Sequence, residues 1–317
     1  MWSFRLRLGI VVGIILGFLL YLLCFSPPSS FPKQLLFPVH SGETGLDIAT
    51  ALKIDHAVRS EFLFRVLLRL YGGQTHIAAG TYYFPEPLNA FAIAWRLRVG
   101  NFNIEPIKIT VPEGTDTEHM SLLLSQSLPI FDANTFLHLA QPHEGFLFPD
   151  TYFFYPGESM TDIVQTMHDN FNAHMAAPDV QTAVASSGKS LVQLVIMASL
   201  LEKEAPDTKN RQIISGILWK RIELGMPLQV DAVFPYITGK SSGDITRADL
   251  QTRSPYNTYL NLGLPPGPIT NPGLDSIMAA ATPVVTDYLY YLSDKKGNFH
   301  YSATYAGQLA NEKKYLP

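Results

Sequence analysis

The sequence predicts an α+β protein carried on a single N-terminal transmembrane helix, from three observations. An unbroken apolar run opens the chain. Helix-spaced apolar segments then mix with short alternating strands, without internal repeat or low-complexity tract. With 47% hydrophobic residues in 317, there is material for a core and for two domains beyond the anchor.

Residues 1–7 carry Arg5 and Arg7, and the apolar stretch 8–25 follows. As a helix its 18 residues span roughly 27 Å, against a hydrocarbon core of roughly 30 Å. No further charge appears before Lys33, so the positive-inside rule places the N-terminus in the cytoplasm and the rest outside. The competing reading is a cleaved signal peptide. Against it, the apolar run exceeds the usual ~7–15 residues and Ser26-Pro27-Pro28 is no small-residue cleavage site. Cys24 follows bulky Leu23, unlike a lipoprotein signal, and reads as an apolar membrane residue. As the single cysteine, it excludes an intramolecular disulfide.

Residues 26–38, rich in Pro and Ser, read as a semi-rigid linker, with ordered structure from about Val39. Domain 39–106 has helical spacing over 48–52, 62–70 and 88–99, the first stop at Gly72-Gly73, and a strand over 79–85. Domain 107–317 opens with the strand Ile107-Lys-Ile-Thr-Val111, a turn at Pro112-Glu113-Gly114, and a helix from about Thr117. Glu144 to Tyr155 packs six aromatics around a proline and two acids, as a ligand-lining segment or an edge strand would. Helices follow over 160–175, from an N-cap at Ser190 to Glu204, and over 211–224. Tyr288 to Leu292 and Phe299 to Tyr301 read as strands paired around Gly297.

Several chemistries are excluded. A formal net charge of −4 and the lack of a long basic run argue against nucleic acid as the main ligand. Gly188-Lys-Ser and Gly239-Lys-Ser lack the glycine five positions earlier that a phosphate loop needs. Ser-x-x-Lys recurs at Ser30, Ser186 and Ser293 without the companion motifs of penicillin-recognising enzymes. None of the nine histidines falls in a zinc-ligand spacing, and no Gly-x-Ser-x-Gly elbow occurs. No metal or organic cofactor is called for.

Acid chemistry remains. Glu202 closes the apolar run Leu191 to Leu201, and burial there would disfavour its charged form, which suits a general acid. Glu204 is the rival. About 200° of helical rotation separates the two, so both cannot face one cleft unless the helix ends between them. The residues alone leave this choice open. Gln229 and Asp231 alternate in Leu228-Gln-Val-Asp231, which on a strand would share a face. The Pro/Gly-rich segment 254–273 suits presentation of Tyr256, Asn257 and Tyr259 to a polar ligand, or acts as a rigid structural lid.

The motifs Glu144-Gly-Phe-Leu-Phe-Pro-Asp-Thr-Tyr152, Ala198-Ser-Leu-Leu-Glu-Lys-Glu204, Leu228-Gln-Val-Asp231, Ser254-Pro-Tyr-Asn-Thr-Tyr259 and Gly263-Leu-Pro-Pro-Gly-Pro-Ile269 occur in one order. In that order they resemble the YceG-like endolytic murein transglycosylases of bacteria. The resemblance implies a LysM-like membrane-proximal domain and an outward catalytic domain that cuts nascent peptidoglycan strands, with synthases as possible partners. Carried over by motif, it makes Glu202 the acid. It places Asp150, Tyr152, Gln229, Tyr256 and Tyr259 at the substrate, and Glu144, Asp231 and Asn257 as groups that position the substrate or support those that touch it. One departure is visible: where members commonly show Glu-His closely after Phe-x-x-Thr, this chain reads Tyr301-Ser-Ala-Thr304 and then Tyr305-Ala-Gly-Gln-Leu309, with neither the Glu nor the His.

Overall fold

The computed structural model describes residues 2–72, 77–240 and 244–316. Gly73 of the expected stop signal and Ser241 of the second Gly-Lys-Ser triplet lie outside the described residues. The architecture is mixed α+β, helix-rich, with two-stranded sheets. Helix α1 spans Trp2–Cys24. Its large side chains between Ile10 and Leu19 are exposed. Among the described residues no single helix is long and apolar enough to cross a membrane, the apolar helical stretch there being Gly9–Leu19.

The chain divides into two compact units. The first comprises Met1–Ile109 with Ser125–Phe131 and Phe153–Ile163, so it draws in later segments that a linear boundary near residue 106 leaves out. Strand β1 (Leu35–Val39) pairs antiparallel with β2 (Gly80–Phe84), and α2 (Gly45–Ile54) and α3 (Glu61–Leu70) lie between them in sequence. With α4 (Ala90–Val99) these elements bury Phe37, Ile48, Phe64, Tyr82 and Ile93. Thr44, Ser60 and Asn89 cap the three helices through side-chain oxygens, satisfying amides the first turn cannot pair. Order begins earlier than Val39. Phe31 is buried, and Arg59 donates to the Ser26 and Pro27 carbonyls, so the expected linker is folded against this unit.

Strand β3 (Ile107–Thr110) pairs with β4 (Thr151–Phe154). The second unit is Thr110–Leu124, Asp132–Tyr152 and Val164–Pro317. It holds most of α5 (Thr117–Ser127) and α7 (Met160–Met175), with α6 (Ala133–Ala140), α8 (Pro178–Ser187) and α9 (Leu191–Glu204). Beyond these come α10 (Thr208–Glu223), α11 (Val233–Thr238), α12 (Leu274–Ala281), the hairpin β5 (Tyr290–Ser293) and β6 (Phe299–Ser302), and α13 (Tyr305–Tyr315). Its core is built around α9, buried from Leu194 through Leu201 and packed on α10 and α12. Ser190 and Gln193 form a reciprocal capping box at its start. Its one buried hydroxyl, Ser199, accepts from the Ile269 N–H and donates to the Ile196 carbonyl. Pro206 follows the extended cap Ala205, so the helix stops at Glu204.

Candidate active site

The end of α9 sends its two acids to different surroundings. Glu202 Oε1 pairs with Arg211 at 2.7 Å, and Oε2 accepts the Gly273 N–H at 2.9 Å, at the start of α12. Arg211 also pairs with Asp275 at 2.8 Å and donates through Nε to the Ala205 carbonyl. Glu113 lies against Gly273, where any side chain would collide with its carboxylate. Burial and the neighbouring Glu202 raise the Glu113 pKa, against the opposing pull of Arg211. Glu202 was expected to be an acid desolvated by its apolar helix and facing the cleft. Instead both its oxygens meet donors, because the sequentially distant Arg211 and Gly273 fold onto the helix end.

Glu204 faces a cavity of about 780 Å³. It is partly buried in the cavity wall, and the desolvation of its carboxyl group raises its pKa to about 7. The hydrogen bond from the Tyr291 hydroxyl, 2.8 Å from Oε2, opposes that shift, while the charge of Asp231 adds to it. Burial and the Glu204 charge raise the Tyr291 pKa in turn. Such an acid is protonated for a substantial fraction of the time near neutral pH and faces open space.

Three of the expected substrate residues share this cavity: Gln229, Asp231 and Tyr259. The Tyr259 hydroxyl donates to Asp231 Oδ1 at 2.6 Å. Residues 228–231 do not form a strand. Gln229 takes a left-handed backbone (φ 53), its N–H donates to the Thr258 carbonyl and that of Val230 to the Thr258 hydroxyl. A non-glycine residue held there is strained and needs such fixing partners.

The other expected substrate residues lie elsewhere. Glu144 is buried, with its pKa raised to about 7 by burial, and accepts from the Thr117 N–H and hydroxyl at the start of α5 and from Asn271. It caps a helix rather than lining this cavity. Asn257 is fully buried and clamps its loop by donating to the Leu250 and Thr252 carbonyls, so it is a structural residue and not a presented one. Asp150 and Tyr152 are joined through Asn170, and Tyr152 donates to the Phe148 carbonyl. Tyr256 packs on Tyr236. Sequence reasoning missed Arg221, Tyr290 and Tyr291, and Gln308, Glu312 and Lys313 of α13, all of which line the cavity. The dense tyrosines of 288–292 were the available signal for two of them; nothing local marked the others. Among the described residues, no group of three or more His, Cys, Asp or Glu is placed to hold a metal.

The sequence matches the YceG-like family over residues 37–314. The chain belongs to that family. A relative of this YceG-like chain in Bacillus subtilis (strain 168), named endolytic murein transglycosylase, is 30% identical over 325 residues, covering 90% of this chain and 89% of the relative. A protein of the same name from Streptococcus pneumoniae is 25% identical over 85% of this chain, which spans only 56% of that relative. The crystal structure of a YceG-like protein from Listeria monocytogenes matches with a TM-score of 0.59 at 26% identity, over 88% of this chain and 99% of the other.

Proposed function

We propose that this YceG-like protein is an endolytic lytic transglycosylase of peptidoglycan and that Glu204, rather than Glu202, is its general acid. The observation that carries the assignment is a carboxyl group with its pKa raised to about 7 on the wall of the large cavity. Glu202, closed by Arg211 and the Gly273 N–H, instead ties α9 to α10 and α12.

The geometry supports a one-acid cycle. Protonated Glu204 gives its proton to the oxygen linking N-acetylmuramic acid to N-acetylglucosamine, and the C1–O bond breaks. The muramyl C6 hydroxyl closes on C1 and gives its proton to the Glu204 carboxylate. The product is a 1,6-anhydro end, and the acid is regenerated without water. One carboxyl group suffices because the nucleophile belongs to the substrate, unlike the usual pair of glycosidase carboxylates.

Asp231 in the same cavity favours a second reading, a lysozyme-like hydrolase in which it activates water. Mass spectrometry of digested strands separates the two, since reducing muramic ends in place of anhydro ends would sink the transglycosylase. Glu204→Gln is expected to lower the rate by at least about 10²-fold, while Glu202→Gln keeps cutting. The reverse result would return the acid to Glu202.

The exposed apolar surface of α1 supports a single-pass anchor in the bacterial cytoplasmic membrane, with the cavity on the outer side. The strand–helix–helix–strand order of the first unit supports a LysM-like domain. Nascent glycan strands are then the substrate, cutting them ends elongation, and peptidoglycan synthases are the expected neighbours.

A further inference from the structure

Two arginines of the second unit are buried, and they are satisfied differently. Arg211 meets two carboxylates. Arg221, 5% exposed, meets none among the described residues. Its Nε donates to the Leu289 carbonyl, and Nη1 donates to those of Pro227 and Leu228. Its guanidinium lies 5.1 Å from the Tyr290 ring centre. Nη2 has no acceptor among the described residues, on a side chain that lines the cavity. A buried cation without a counter-charge is costly, and neutral carbonyls offset that cost only in part. Lys313 of α13, exposed at the same cavity, adds a second positive charge there and has no ion pair among the described residues.

We propose that Arg221 and Lys313 form a carboxylate-binding subsite for the glycan beside the proposed acid. A guanidinium anchored through Nε and Nη1 presents Nη2 in a fixed direction, which suits a carboxylate oxygen better than a neutral sugar hydroxyl. Peptidoglycan offers that chemistry in two places. The lactyl group of muramic acid carries a free carboxylate when its stem peptide is absent, and the stem peptide carries carboxylates of its own. The subsite rests on the reading of the cavity as the glycan site, and it makes the enzyme select strands by charge as well as by sugar.

The full-length chain in detergent micelles is assayed on four strand preparations: stem-free, stem-free with the lactyl carboxylate amidated, stem-bearing, and stem-bearing with the peptide carboxylates amidated. KM is expected to be about tenfold lower for the strand carrying the recognised carboxylate than for its amidated twin, and the pair showing the difference identifies the source. Arg221→Gln and Lys313→Gln should each shrink that ratio. Equal KM within each pair for the wild-type protein overturns the subsite, and this comparison needs no variant to fold. If the wild type releases no anhydro ends, the functional reading fails instead. Equilibrium binding of the same four preparations then decides the subsite on its own: a tighter Kd for one free-carboxylate strand supports it, and equal Kd values overturn it.

Discussion

Removing the Arg211 guanidinium would take from Glu202 and Asp275 the cation that both pair with. The Arg211 and Glu202 side chains are 9% and 5% exposed, so solvent screens the loss poorly. Arg211→Met is expected to lower stability by about 3–5 kcal/mol, read by chemical denaturation. Glu204 gives a pH dependence of defined sign. Its folded pKa of about 7 lies above the ordinary 4.5, so the folded state holds the proton more tightly than the unfolded state. The resulting stability is complete below about pH 4.5 and is lost as pH rises through about 7. Glu144 shares direction and window. The melting temperature should therefore fall over that range, and Glu204→Gln should flatten the fall. Because the acid must carry its proton to act, kcat/KM should also decline above about pH 7. The choice between Glu202 and Glu204 was not legible in sequence, because it turns on partners far along the chain: Gly273 and Tyr291 lie 71 and 87 residues beyond the acids they meet.

Helix α9 was legible almost to the residue, because apolar residues, the Ser190 cap and Pro206 all mark its course. Ser190→Ala should cost about 1 kcal/mol of stability, measured by thermal unfolding, since it opens the capping box. The hairpin of β5 and β6 was legible for a similar reason, with aromatic runs flanking Gly297, which takes a positive φ of 81°. The segment 228–231 misled. Its alternation of apolar and polar residues fits a strand, but the hydroxyl and carbonyl of Thr258 take two of its N–H groups and turn the chain at Gln229. Helices α12 and α13 were also missed. Pro- and Gly-rich loops precede α12, while α13 is short and polar, so neither shows the periodic face that betrays a packed helix.

At the level of the whole molecule, the α+β class was legible because helix-spaced and strand-spaced segments alternate without a βαβ rhythm. The division into units was less so, since Ser125–Phe131 and Phe153–Ile163 join the first unit from within the second half of the boundary drawn on sequence. No local composition change announces a chain that returns. Deleting residues 1–25 should move the protein from the membrane pellet to the soluble fraction on ultracentrifugation, with anhydro ends still released from isolated strands. A truncated protein that still pelleted with membranes would remove α1 as the anchor.

Helix α9 is buried through eight consecutive residues and ends on Glu204. The acid's position is therefore a property of how the domain interior packs. Leu200→Ala would let the last turn settle, and a shift of an ångström at its tip is enough to misalign a proton transfer. Rate would fall in a variant that touches no sugar. For the lineage of this protein, it follows that the interior of the unit cannot drift independently of its chemistry: each substitution along this helix is screened for turnover as well as for folding.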